Sequence, residues 1–207
     1  PKRHALKALY YFCRAVDDAV DEVSSKEEAR QNLAYWRGEI ENLFVTKNSP
    51  ENEISSQLGI AIWRYQLPRQ PFEDLLNGME FDCSTKVEIH TEQELERYCY
   101  CVAGSVGLLA MRIFGVQGAD AEQFAIYLGQ ALQLTNILRD RRKDKHLNRS
   151  YVPAQWGNSS TSKLIAKTDA SFQKVARIKK QLPTRPLIPA ILMRDIYYRK
   201  FTRLKKT

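Results

Sequence analysis

Histidine, cysteine and glycine are scarce: the 207 residues include three, four and nine of them. That excludes most transition-metal chemistry. Cys99-x-Cys101 has the wrong spacing for a zinc knuckle, and no second pair follows. Cys13, Cys83, Cys99 and Cys101 are therefore expected to be buried free thiols in a reducing, cytoplasmic setting. No apolar run approaches the ~18–20 residues of a membrane span. Nor does a charged-then-apolar leader open the chain, although Pro1 looks like the middle of a protein. The sequence has no glycine-rich phosphate loop, no GxGxxG dinucleotide fingerprint and no aromatic RNA-binding signature, so no nucleic-acid partner is expected. Strand signals are nearly absent too.

Helical periodicity fills the space. Apolar residues recur at three- and four-residue steps over 4–22 and again from Ala29 to Leu43, where Ser25 with Glu28 resembles a capping box. Ser49-Pro50 closes the loop after this second helix. Shorter helices are expected over 53–66 and 70–82, then long ones over Glu92 to Phe114 and Ala119 to about Lys145. Residues 154–170 are polar and poorly periodic, which predicts a loop or flap. Phe172 to Leu182 and Pro189 to Leu204 supply two last helices. With 43% hydrophobic and 27% charged residues, this is a soluble all-α protein with one substantial core.

Charge is unevenly spread. Residues 1–138 carry 13 basic and 20 acidic side chains, whereas 139–207 carry 19 and 4. The tail therefore favours an anionic partner, whether substrate or membrane surface. In "PLIPAILMRDIYYRKFTRLKKT" the apolar residues Ile188, Leu192, Ile196 and Leu204 are set among basic ones. This segment is either a last bundle helix with a basic outer face or a peripheral membrane contact.

Acidic residues cluster where helix stability disfavours them. In "FCRAVDDAVDE" Asp17 and Asp21 share one helix face, late in the helix, where like charges and the helix dipole each cost a few tenths of a kcal/mol. In "LGQALQLTNILRDRRKD" the residues Gln133, Asn136, Asp140 and Asp144 form one polar stripe on an otherwise apolar helix. The first helix carries a matching stripe of Tyr10, Arg14, Asp17 and Asp21. Polar stripes on buried helices need partners. Either they form a polar core network, or four carboxylates surround one cavity that holds cations. Oxygen-only ligands favour a hard ion, Mg²⁺ bridging to phosphate oxygens.

"YYFCRAVDDAVDE", "GMEFD", "RYCYCVAGSVG" and "LGQALQLTNILRDRRKDKHLNRSYVP" together resemble the motifs of the squalene/phytoene synthase family, in its order and spacing, over residues 1 to about 156. The resemblance is nearest to bacterial members of hopanoid biosynthesis that make presqualene diphosphate. It implies the all-α isoprenoid synthase fold, helices around a central cavity, and head-to-head condensation of two farnesyl diphosphates. It also implies that Asp17, Asp18 and Asp21 hold Mg²⁺ from the first helix, and Asp140, Asp144 and Asn136 from the opposite one, with Gln133 assisting. Tyr10 and Arg14 would bind substrate, Arg149 and Tyr151 would close over the diphosphates, and Tyr98 would be the catalytic aromatic. NADPH is implied only if the reaction continues to squalene.

Between Asp140 and Asp144 the chain has Arg141, Arg142 and Lys143, where family members commonly have an apolar residue followed by acids. These three are expected to face away from the aspartates. Gly104 and Gly107, inside a helix, imply close approach of either a prenyl chain or a neighbouring helix. The family usually has a further helix before the first motif, and the 156–172 segment looks short for it. Two alternatives remain: a phytoene synthase using geranylgeranyl diphosphate, and a non-catalytic assembly protein on the same fold.

Overall fold

The computed structural model describes residues 1–23, 25–46, 50, 52–84 and 86–206. Helix α1 (Lys2–Asp21) exists because Ala5, Ala8, Leu9, Phe12, Val16, Ala19 and Val20 fall on one face, and all are buried. The Phe12 ring meets Trp36 and Phe72 edge-on at 5.6 and 5.5 Å. Trp36 lies on α2 (Lys26–Glu41), whose start is fixed by the Ser25 hydroxyl accepting from the Glu28 amide at 3.1 Å. A π-helical turn, Asn42–Thr46, follows α2. Ser49 lies outside the described residues. Helices α3 (Glu53–Tyr65) and α4 (Gln70–Asp82) match their expected spans, and Phe72 opens α4 against the α1 core.

The stretch Glu92–Phe114 is not one uninterrupted α-helix. It divides into α5 (Glu92–Cys99), a π-helical turn at Tyr100–Gly104, and α6 (Ser105–Phe114). The turn packs on α7 (Ala119–His146) so closely that a Cβ on Gly129 would sit 2.6 Å from the Gly104 nitrogen. A Cβ on Gly107 would likewise meet the Ala125 carbonyl oxygen at 2.9 Å. These contacts settle the question left by Gly104 and Gly107: a neighbouring helix approaches them. Gly129→Ala is expected to cost about 1–3 kcal/mol through overpacking, a fall of roughly 2–10 °C in thermal midpoint. Thermal unfolding with an unchanged midpoint would contradict so tight a contact.

Residues 154–170 depart from the loop expectation. A 3₁₀ turn, Ala154–Ser159, leads into α8 (Ser160–Lys179). Its buried stripe includes Leu164, Thr168, Ser171, Phe172 and Val175. Thr168 and Ser171 hide their polarity by donating to the Leu164 and Lys167 carbonyls at 2.7 and 2.9 Å, so a helical face that is apolar in effect does not look apolar in sequence. A second 3₁₀ turn, Arg185–Leu187, precedes α9 (Ile188–Leu204).

The one sheet among the described residues is a parallel pair, β1 (Val87–Glu88) and β2 (Arg149–Ser150), with Val87 opposite Arg149. Asn148, in the left-handed region at φ 56°, turns the chain out of α7 and into β2. Two residues per strand leave no period to detect, yet this pair brings the segment after α7 back to the end of α4. All four cysteines are free thiols. No described helix is long and apolar enough to cross a membrane.

Candidate active site

Helices α1 and α7 contribute walls to one cavity of about 840 Å³, completed by residues from α2, α4, α5, the Tyr100–Gly104 turn and the segment at β2. Asp17 and Asp21 enter it from α1, and Gln133, Asn136, Asp140 and Asp144 from α7, with Arg14, Tyr98, Arg149 and Tyr151 beside them. Three arginines already compensate part of the acidity. Arg14 sits 2.7 Å from Asp18 and 3.6 Å from Asp17, Arg139 2.5 Å from Asp140, and Arg149 2.8 Å from Asp21.

The compensation is incomplete. Burial, and then the charge of Asp21, push the Asp17 carboxyl above its usual range. Burial and Asp140 do the same to Asp144. Asp140 alone of these is held low, by its hydrogen bond from Arg139. Asn136 adds a buried amide oxygen with no hydrogen-bond partner, while its nitrogen reaches Gln133 at 3.4 Å. A donor set made wholly of oxygen, with acids raised by burial and by one another's charge and one orphaned amide oxygen, fits a hard divalent cation. Among the described residues, no three His, Cys, Asp or Glu side chains come close enough to hold a metal unaided. Any such ion would need further oxygens from a ligand.

A buried hydrogen-bonded cluster closes the far side. Tyr98 donates to one oxygen of Asp82 at 3.0 Å and Tyr151 to the other at 2.7 Å. The two rings stack at 4.8 Å and 22°. Asp82 is only 6% exposed. Burial lifts its pKa to about 6 despite both tyrosines and Arg149, which favour the ionised form. Burial and the Asp82 charge drive the Tyr98 hydroxyl well above its ordinary pKa, so it stays protonated.

The squalene/phytoene synthase family model matches residues 1–161. The chain belongs to the squalene/phytoene synthase family. It is 34% identical over 179 residues to presqualene diphosphate synthase of Rhodopseudomonas palustris, covering 84% of this chain and 63% of that protein. Phytoene synthase of Arthrospira platensis is 32% identical over 197 residues, covering 87% and 63%. The chain thus spans less than two thirds of the length of these relatives. The crystal structure of squalene synthase HpnC from Alicyclobacillus acidocaldarius aligns at a TM-score of 0.86 and 24% identity, covering 99% of this chain and 83% of that one. The architecture is the all-α isoprenoid synthase fold.

Two family-implied positions fall elsewhere. Tyr10 is 62% exposed and lines a separate groove with Leu6, Phe114 and Pro189. It shares the helical phase of Asp17 but lies about 10 Å away along the α1 axis, beyond the cavity. Asp18 points about 100° round the helix from Asp17. It is not part of the cavity lining, and its partner is Arg14. Lys143 corrects a third expectation: it lines the cavity. Being three residues past Asp140, it is set back only about 60° and stays on the polar face. Arg141 does face away, bonding Ser160 at 3.3 Å and also Thr161 at the start of α8. Asp82, Lys26 and Arg139 complete the lining without having been singled out. Asp82 ends the "GMEFD" motif, so only its position was legible beforehand. Arg139 stands three residues past Asn136 inside the quoted motif, whereas Lys26 follows no recognisable spacing.

Proposed function

We propose that the chain forms the catalytic core of a prenyltransferase that joins two farnesyl diphosphates head to head into presqualene diphosphate. The observation that supports this most directly is the meeting of the Asp17/Asp21 and Asp140/Asp144 pairs with the Tyr98–Asp82–Tyr151 cluster in one cavity. In the reaction, the C1–O bond of one farnesyl diphosphate breaks and the departing diphosphate takes the electron pair. The 2,3-double bond of the second molecule attacks the resulting allylic cation, and proton loss closes a cyclopropane.

Asp17, Asp21, Asp140, Asp144 and Asn136 are the residues assigned to Mg²⁺. When bound, this ion supplies positive charge against the leaving diphosphate. Arg14 and Arg149 can exchange their carboxylate partners for phosphate oxygens and so orient the substrates. Val20, Met79, Val102 and Ile137 give the cavity its apolar surface, which keeps water from an allylic cation. Tyr98 presents an aromatic face to that cation. Its high pKa rules it out as a lone base. Bonded to ionised Asp82, however, its hydroxyl oxygen can take the proton while passing its own to the carboxylate.

The likeness to phytoene synthase supports a second reading, with geranylgeranyl diphosphate as substrate. NADPH would be consumed only if reduction to squalene follows. We also assign the α9 stripe of Ile188, Leu192 and Ile196, which is about half exposed, to peripheral contact with an anionic membrane from the cytoplasmic side. Incubation with each prenyl diphosphate, with and without NADPH and with and without EDTA, tests the assignment. Presqualene diphosphate from farnesyl diphosphate, lost in EDTA, is expected. Phytoene as the sole product would transfer the assignment to the longer substrate. Undiminished turnover in EDTA would remove the metal.

A further inference from the structure

Five cations and five carboxylates line the cavity. The three arginines each hold a carboxylate, as described above. The two lysines do not. Among the described residues Lys26 forms no ion pair, and its ammonium donates to the Asp82 main-chain carbonyl at 2.8 Å. Lys143 forms neither an ion pair nor a side-chain hydrogen bond there. Helix stability does not explain Lys26: it is the first residue of α2, where the positive end of the helix dipole disfavours a cation by about 0.3–1 kcal/mol. Lys143 lies on the polar face of α7, between Asp140 and Asp144, and its charge bears on both. Two ammonium groups in the wall of one cavity, neither in an ion pair among the described residues, can accept an anion without first breaking a protein ion pair.

We propose that Lys143 and Lys26 form a metal-independent subsite for a diphosphate group. Given the prenyltransferase reading, on which this inference rests, the subsite has a defined use. Of two diphosphates admitted, one must leave and one stays on the product. The leaving group needs strong neutralisation as its bond breaks, whereas the retained one needs only to be gripped. Lysine suits the grip, as a compact charge with three rotatable donors. The same chemistry would hold inorganic pyrophosphate.

The test is binding in EDTA, by titration calorimetry, of inorganic pyrophosphate and of the non-ionising farnesyl thiodiphosphate to the whole chain. The wild type is expected to bind both. Lys143→Glu should weaken both by roughly tenfold or more, as for one lost charge-assisted hydrogen bond, and Lys143→Arg should restore most of that loss. Lys26→Ala should weaken both in the same direction. In turnover, Lys143→Glu should also lower the half-saturating Mg²⁺ concentration, because it adds an acid beside Asp140 and Asp144. Equal metal-free binding of pyrophosphate by wild type and Lys143→Glu would overturn the subsite, while wild-type turnover of farnesyl diphosphate would still stand for the function. Lysine-dependent pyrophosphate binding without turnover of any prenyl diphosphate would leave the subsite in place and remove the function. Binding of pyrophosphate but not the thiodiphosphate would overturn its use for a prenyl substrate.

Discussion

Asp140→Ala is expected to lower turnover of farnesyl diphosphate by about 10²–10³-fold or more, with no measurable change in helical content. The asymmetry follows from where Asp140 sits. Its ion-pair partner Arg139 is 46% exposed and Asp140 itself 33%, so breaking the pair costs at most about 1 kcal/mol of stability. The carboxylate also lines the cavity, and Asn136, one turn earlier on the same helix, has a buried oxygen with no hydrogen-bond partner. Asp17→Ala should cause a loss of the same order. If the two pairs act as one unit, the double variant should be little worse than either single one. Asp195→Ala is the control: it also breaks a pair with the preceding arginine, Arg194 at 2.5 Å, but on α9, which contributes no lining residue. Steady-state rates and circular dichroism on these four proteins decide the matter. If Asp140→Ala retained more than a tenth of the wild-type rate, that carboxylate would have no part in neutralising the leaving group.

Much of this arrangement was visible as periodicity. The stripe Gln133, Asn136, Asp140, Asp144 needs only 3.6 residues per turn to be placed on one face, and α1 obeys the same rule for Arg14, Asp17 and Asp21. Periodicity fixes angle, not height along the axis, which is why Tyr10 shares the phase of the site and still misses it. The start of α8 was hidden because Thr168 and Ser171 satisfy themselves on their own helix. The π-helical turn at Tyr100–Gly104 left no mark in its own stretch of sequence, and the residue packed most tightly on it, Gly129, lies on another helix. Asp82 shows the limit most clearly. It lies 16 residues from Tyr98 and 69 from Tyr151, and a two-residue strand pairing, too short to leave any pattern, brings Tyr151 to it.

Asp82→Asn is the substitution that separates chemistry from folding. Asparagine keeps the shape and can still bond both tyrosine hydroxyls, one as acceptor and one as donor, so the buried cluster stays satisfied. It cannot take a proton. Turnover should fall by about 10²-fold or more, the scale of a lost general base. The pH dependence gives the sharper readout. With a pKa of about 6 in the folded protein, Asp82 is ionised and able to receive the Tyr98 proton above that value and blocked below it. Wild-type turnover should therefore drop on the acid side with a midpoint near 6, and Asp82→Asn should lack that limb. Stability must run the other way. A carboxyl whose folded pKa is raised favours the fold when protonated, so its contribution is fully present below the unfolded value near 4. It is lost as pH rises through about 6, a change on the order of 3 kcal/mol. Wild type should thus lose stability between pH 4 and 6 and gain activity as pH rises through 6, and Asp82→Asn should show neither change at this site. An acid limb that persists in Asp82→Asn would place the titrating group elsewhere and leave the tyrosine–aspartate cluster a structural role only.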